Sequence, residues 1–155
     1  MPGTGKLQLT GQMGDVMKES AQLALSYARM ISDRFELPEG FFEQHDIHLH
    51  IPEGAVPKDG PSAGITMTTA LVSAISQKKV RANLAMTGEV TLTGRVLMIG
   101  GLKEKLLAAK MAGITNILVP ERNKPDVEEM SAEITRGMDI RFVSTMEQVL
   151  EAALV

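Results

Sequence analysis

Apolar and polar positions alternate with a period of two in the first third of the chain. Residues 6–10 alternate and predict a strand. Asp46-Ile47-His48-Leu49-His50-Ile51 alternates strictly and predicts a second, with His48 and His50 sharing one face with Asp46, opposite Ile47, Leu49 and Ile51. Between them, residues 11–14 turn the chain. A helix is predicted from residue 15 to about 34, with Val16, Leu23, Tyr27, Met30 and Ile31 on a stripe near 3.6 periodicity. Leu37-Pro38-Glu39-Gly40 breaks it, and Phe41-Phe42 anchors a short turn.

From Ser62 to about Gln77 the chain is apolar on most sides, which predicts a buried helix. Ala63, Gly64 and Ala70 leave room there for close backbone approach, and Lys78-Lys79 ends the helix in solvent. Residues 84–87 and 95–99 read as strands around a tight turn, with an edge strand within 88–94. Gly100-Gly101 stops the chain before a helix over 102–111, closed by Gly113. Residues 116–119 form an apolar strand ended by Pro120; 127–130 and 132–136 are short helical pieces; 139–144 is a strand. Thr145 caps a last helix over 146–154, with Glu147 in its first turn. No regular βαβ rhythm, internal repeat or low-complexity stretch is visible. The pattern therefore predicts an α+β fold, one compact domain over residues 1–155 with mixed short sheets and packed helices. Residues 1–5 read as a leader or as the cut edge of a larger protein.

Composition narrows the chemistry. The 155 residues suffice for one domain with a real core, and 44% hydrophobic content makes it globular. A net charge of −3, scattered Lys and Arg, and 3% aromatics give no support to nucleic-acid binding. The absence of cysteine excludes disulfides, thiolate metal sites and a thiol nucleophile. No apolar run approaches the roughly 20 residues that span a membrane, and no signal peptide is visible. A cytoplasmic location, or an organelle matrix in a eukaryote, is the expectation. The 11 methionines suit irregular core gaps.

Three local motifs suggest chemistry. Gly3-Thr4-Gly5-Lys6 resembles the end of a phosphate-binding loop but lacks the following Ser or Thr and a preceding strand. Asp46, His48 and His50 could form part of a metal site, yet no further H-x-x-E-type partner is present, and His45 is the only other histidine. The third is Pro57-Lys58-Asp59-Gly60-Pro61-Ser62-Ala63-Gly64. A rigid loop there delivers Ser62 to the entry of a helix, where backbone N–H groups can face an oxyanion. Ser62 is then either a nucleophile with donors beside it or an ordinary N-cap. Gly60 to Gly64 also fits the G-x-S-x-G elbow, but that motif places its acid and histidine after the serine, and all three histidines precede it. A lysine can activate a serine instead, provided desolvation keeps it neutral. In the 102–111 helix, Lys105 lies toward the packed stripe, and Lys103 is turned about 200° away. On spacing alone both could equally be solvated helix lysines.

Several blocks together resemble the C-terminal proteolytic domain of the Lon family of ATP-dependent proteases. The Ser62 loop resembles that family's nucleophile motif. Thr87-Gly88-Glu89, Gly94-Arg95-Val96-Leu97 and Gly100-Gly101-Leu102-Lys103-Glu104-Lys105 resemble its lysine region in order and spacing, with Ser62 and Lys105 43 positions apart as in bacterial members. The similarity runs from about Gly5 to the end. One departure is Met98, where bacterial members usually carry Pro.

The resemblance implies a Lon-like α+β fold and a serine endopeptidase with a Ser-Lys dyad. It implies Ser62 as nucleophile and Lys105 as general base. Thr87 matches a residue supporting the lysine, and Asp59 a loop acid that can engage the lysine in inactive forms. His48 and His50 match positions near the site, and backbone around Gly60, Pro61 and Ala63 stabilises the oxyanion. It further implies unfolded or damaged polypeptides as substrates and a homo-hexameric ring in the intact protein. No cofactor or metal is expected in this chain. ATP and Mg would serve an ATPase module that, like a substrate-recognition domain, is expected to lie outside these residues. The rival reading is a catalytically silent Lon-like domain used for assembly, similar to some DNA-repair proteins; the presence of both Ser62 and Lys105 favours the enzyme.

Overall fold

A computed structural model describes residues 1–52, 55 and 57–155. Of the loop expected over 52–61, residues 53, 54 and 56 lie outside the described ones. The elements run β1 (Leu7–Thr10), α1 (Asp15–Met30), α2 (Phe41–Gln44), β2 (Ile47–His50), α3 (Gly64–Ser76), β3 (Leu84–Met86), β4 (Glu89–Val90), β5 (Val96–Leu97), α4 (Leu102–Met111), β6 (Asn116–Pro120), α5 (Lys124–Glu128), α6 (Ala132–Thr135), β7 (Asp139–Val143) and α7 (Met146–Ala153). The fold is α+β, as the pattern predicts, with three small sheets among the described residues: parallel β1-β2, parallel β3-β6-β7 and antiparallel β4-β5.

The β3-β6-β7 sheet is a wall between two cores. Period-two alternation sends Leu84, Met86, Leu118 and Val143 to one face, where α1, α3 and α7 pack. Ala85, Ile117, Val119, Ile140 and Phe142 go to the other face, against α4, α5 and α6. Burial on both faces explains why residues 117–119 are continuously apolar rather than alternating. The sheet is parallel, with β6 joined to β7 through α5 and α6, so a local crossover unit exists that the irregular rhythm of short elements hides.

The first core rests on small side chains. Ala21, Ala24 and Ala28 of α1 are fully buried, with Tyr27 and Ile31. Val16 and Met30 of the predicted stripe are exposed, and Leu23 is half-buried. The buried stripe is thus one position off, because alanine rather than the bulkier residues lets α3 come close. Gly64, the first residue of α3, shows how close: an added Cβ would lie 2.9 Å from the Val90 nitrogen and 3.1 Å from Ser20 Oγ. The helix predicted to residue 34 breaks at Met30 and continues as a 3₁₀ turn, Ser32–Arg34.

In the second core, Leu102, Leu106 and Ala109 of α4 pack on Ile99, Ile117 and Val119. α4 follows Gly101, whose φ of +68° favours a residue without a Cβ. Its entry is fixed by Asn123, fully buried after β6. The Asn123 amide accepts from Ile99 N–H at 3.0 Å and donates to Ile99 C=O at 2.9 Å and to Asp126 at 2.8 Å. At the C-terminus Thr145 and Gln148 form a reciprocal capping box for α7.

Candidate active site

Two loops and one helix bring the site together beyond the C-terminal end of β3. Ser62 precedes α3 by two residues, so it is not in the first helical turn. The N-cap position is Ala63, and no side-chain cap bond forms. The N-cap reading of Ser62 therefore fails. Its carbonyl is held instead, accepting from Gly88 N–H at 2.9 Å and from the Thr87 hydroxyl at 3.3 Å. Gly88 C=O in turn accepts from Ile65 N–H at 3.1 Å. Ser62 is thus stitched on both sides to the segment that follows β3.

Lys105 reaches this point from the other side of the wall. Its Nζ lies 2.6 Å from Ser62 Oγ and 3.2 Å from Thr87 Oγ1. Lys105 is half-buried on α4 beside buried Leu102 and Leu106, and Lys103 is exposed. Burial pushes the Lys105 ammonium below its ordinary value, with no carboxylate among the described residues opposing the shift. Thr87 is buried and its hydroxyl is committed twice: it donates to Ser62 C=O and accepts from the amine.

Ser62, Thr87 and Lys105 line a cleft of about 670 Å³. Met67, Leu102, Leu106 and Ile117 make it largely apolar, and His50 also lines it.

Other predicted residues are elsewhere. The Asp59 carboxylate does not meet Lys105. It accepts from Met17 N–H at 2.9 Å, at the N-terminus of α1, and from Gly60 N–H at 2.8 Å. Those bonds, Met17 first, hold its pKa below the usual carboxylate value. The Gly60 N–H is therefore occupied, and Pro61 has no N–H; its carbonyl accepts from Gly64 at 3.1 Å. Of the expected oxyanion backbone, Ala63 and Ser62 itself retain amides that could donate.

His48 and His50 bond neither Ser62 nor Lys105. Both meet the hydroxyl of Thr10, through His48 Nε2 at 2.9 Å and His50 Nδ1 at 2.7 Å. Asp46 is drawn away from them: it accepts from Thr4 and Lys6 N–H at 2.8 Å each, which lowers its pKa, with Lys6 the larger cause. The loop that resembles a phosphate cradle thus already holds an anion, the chain's own Asp46.

Sequence reasoning missed Asn123, which sets the start of the helix carrying Lys105, and Thr10, which joins the histidines. An Asn beside a run of turn residues carries no distinctive signal. Thr10 was foreseeable from strand pairing, since it sits in register with His50 in the parallel β1-β2 pair.

Known proteins place this arrangement in a family. A family model described as Lon protease (S16) C-terminal proteolytic domain matches residues 1–155. The chain is 64% identical to a Lon protease of Lachnoclostridium phytofermentans, over 100% of this chain and 19% of that protein. It is 59% identical to Lon protease 2 of Desulfotalea psychrophila, over 100% of this chain and 20% of that one. With Lon protease 1 of Thermus thermophilus the identity is 54%, over 97% of this chain and 19% of the relative. The fold and these matches define a proteolytic domain of the S16 class. The chain belongs to the Lon protease family, and it spans about a fifth of the length of the curated relatives it matches.

Proposed function

We propose that this chain is a serine endopeptidase working through a Ser62–Lys105 dyad. The observation that supports it is the 2.6 Å approach of a desolvated amine, unpaired with any carboxylate among the described residues, to a serine hydroxyl in an apolar cleft.

The chemistry follows from the hydrogen bonds. The Thr87 hydroxyl spends its proton on Ser62 C=O, so it accepts an N–H of the neutral amine. That turns the amine lone pair toward Ser62 Oγ–H. Lys105 takes the proton as Oγ attacks a peptide carbonyl. The amides of Ser62 and Ala63 are the donors for the oxyanion; such a donor is worth roughly 2.7–4 kcal/mol in k_cat terms. Lys105 then protonates the leaving amine, and water releases the acyl group by the same route. β3 is an edge strand of its sheet with Ala85 and Met86 on the cleft, which suits an extended peptide. Unfolded polypeptide in a cytoplasmic setting, ATP-driven delivery and a hexameric ring complete the reading for the intact protein.

A peptidyl boronate tests the assignment. Wild type should form a covalent adduct at Ser62, and Ser62→Ala should lose both the adduct and peptide hydrolysis with native circular dichroism. Near-normal turnover in Ser62→Ala would overturn the dyad; an inert, correctly folded wild type would favour the silent assembly domain.

A further inference from the structure

The His48–His50 pair is not used by the dyad, yet it is built with more order than a solvated strand face requires. The two side chains share the outer face of β2, and Ile47 and Leu49 between and beside them pack inward on the first core. Pairing with β1 fixes the strand, with Gln8 opposite His48 and Thr10 opposite His50. Both imidazoles are exposed, and one nitrogen of each converges on a single atom, Thr10 Oγ1, at 2.9 and 2.7 Å. A threonine hydroxyl has one proton, so at least one of these rings must donate its own N–H to hold the arrangement. Among the described residues nearby, the Asp46 carboxylate is committed to the Thr4 and Lys6 amides, and His45 Nδ1 to Phe41 C=O at 2.8 Å.

We propose that His48 and His50 form a two-point site for a divalent transition-metal ion at the mouth of the cleft, and that its occupancy slows peptide hydrolysis. Each ring presents a nitrogen within hydrogen-bond reach of one atom, so both lose little freedom when the Thr10 side chain turns aside and an ion takes the two nitrogens at its own shorter bond length. Imidazole selects zinc, copper and nickel over magnesium and calcium. Only two protein nitrogens are offered, and no group of three or more His, Cys, Asp or Glu gathers among the described residues, so water completes the shell and the ion exchanges freely. His50 lines the same cleft as Ser62 and Lys105. A hydrated dication held on it therefore stands where an incoming peptide must shed water, and a peptide must displace that shell to enter an otherwise apolar groove. Catalysis itself needs no metal in this scheme. The ion acts on access.

Calorimetric titration of metal-free protein with copper, nickel, zinc and magnesium chlorides is the test, alongside His48→Ala and His50→Ala. The wild type should bind one equivalent, copper more tightly than nickel or zinc, with no heat from magnesium. Each variant should lose roughly tenfold or more in affinity, the scale on which even outer-shell partners act. The peptidase rate, read as the ratio with and without zinc for each protein, should fall in wild type and stay near unity in both variants. Binding of equal strength in wild type and variants would overturn the site, and a site lost in the variants without any effect of zinc on wild-type rate would overturn the gating. Because calorimetry does not depend on turnover, failure of the dyad assignment leaves the binding result readable.

Discussion

The two cores differ in how they hold their catalytic candidate. On the α1–α3 side the backbone does the holding: Ser62 is fixed by its carbonyl, between Gly88 N–H and the Thr87 hydroxyl, and by the close approach that Gly64 permits. On the α4 side the side chain does it. Lys105 extends from a helix packed through Leu102 and Leu106, and only its last atom meets a partner. One group is positioned by a rigid loop, the other by desolvation along an apolar flank. The 2.6 Å contact between them is therefore a property of the whole three-layer arrangement, with the sheet as spacer. The two sides should respond differently to substitution: the lysine side through protonation, the serine side through geometry.

The sharpest test compares the neighbouring lysines. Lys105→Ala should lose roughly 10²–10⁴-fold in k_cat, the range of a general acid–base group. Lys103→Ala, on the exposed side of the same helix, should stay within about twofold, as surface changes do. Equal losses would point to helix damage. With Lys105 as the proposed base the active form is the neutral amine, and wild-type turnover should rise with pH through the folded pKa of Lys105. The stability linkage has the same direction. A lysine whose folded pKa is lowered penalises the fold fully below that value, and the penalty fades as pH rises from it toward the ordinary 10.5. Lys105→Met should thus unfold at higher denaturant than wild type at pH 7 and converge with it at alkaline pH. A flat pH–rate profile with chemistry rate-limiting would remove the lysine base.

Thr87→Val asks whether the junction between the cores matters. It deletes the hydrogen bond that orients the amine and one of the two on Ser62 C=O. A hydrogen bond of about 1 kcal/mol corresponds to a loss of several-fold, and roughly thirtyfold is expected for the pair. The effect should fall on k_cat, with KM nearly unchanged, since Thr87 acts through Lys105 and Ser62. A change confined to KM would mean that Thr87 touches substrate instead.

The same contrast decides what could be read before the structure. Asp139-to-Val143 and the α7 cap were legible because period and capping residues are local. The Ser62 and Lys105 pairing was legible from the family resemblance; helical phase separated Lys105 from Lys103 but left both open as solvated lysines. What stayed hidden was non-local. Alternation in β3 and β6 could not reveal two cores, because both faces of those strands are apolar. Asp59 could be assigned to Lys105 by resemblance, yet here the amides at the start of α1 attract it more, since a helix N-terminus offers several donors to one carboxylate.

Asp59 gives a smaller effect, confined to the serine side. Its folded pKa is depressed, so its stabilisation is present above the ordinary carboxylate value of 3.8 and is lost as pH falls through the folded pKa. Asp59→Asn keeps an acceptor but not the charge. Its melting temperature should be modestly lower than wild type at pH 7, and the difference should vanish at the acid end. The alkaline limb of the pH–rate profile should stay where it is, because Asp59 bonds Met17 and Gly60 and not the amine. A limb shifted to lower pH would show instead that Asp59 visits Lys105 during turnover.

The smallest effect should come from Ser20, and its sign carries the information. Its hydroxyl is buried between α1 and the start of α3 and has no hydrogen-bond partner among the described residues. It lies 3.1 Å from where a Cβ on Gly64 would stand, so the gap between the helices is already closed around it. Leaving a buried hydroxyl unpaired costs on the order of 1 kcal/mol, and alanine removes that cost with the loss of a single small atom. Ser20→Ala should therefore raise stability by roughly that amount, seen as a higher urea midpoint with an unchanged slope. Peptidase rate should not move, because the loop holding Ser62 is fixed by Gly88 and Thr87 and not by Ser20. If the variant were instead destabilised, the hydroxyl would be shown to bridge the helices through a bound water. If it were stable but slower, the α1–α3 spacing would be shown to feed directly into the 2.6 Å contact, and the loop on the serine side would be less self-contained than its hydrogen bonds indicate.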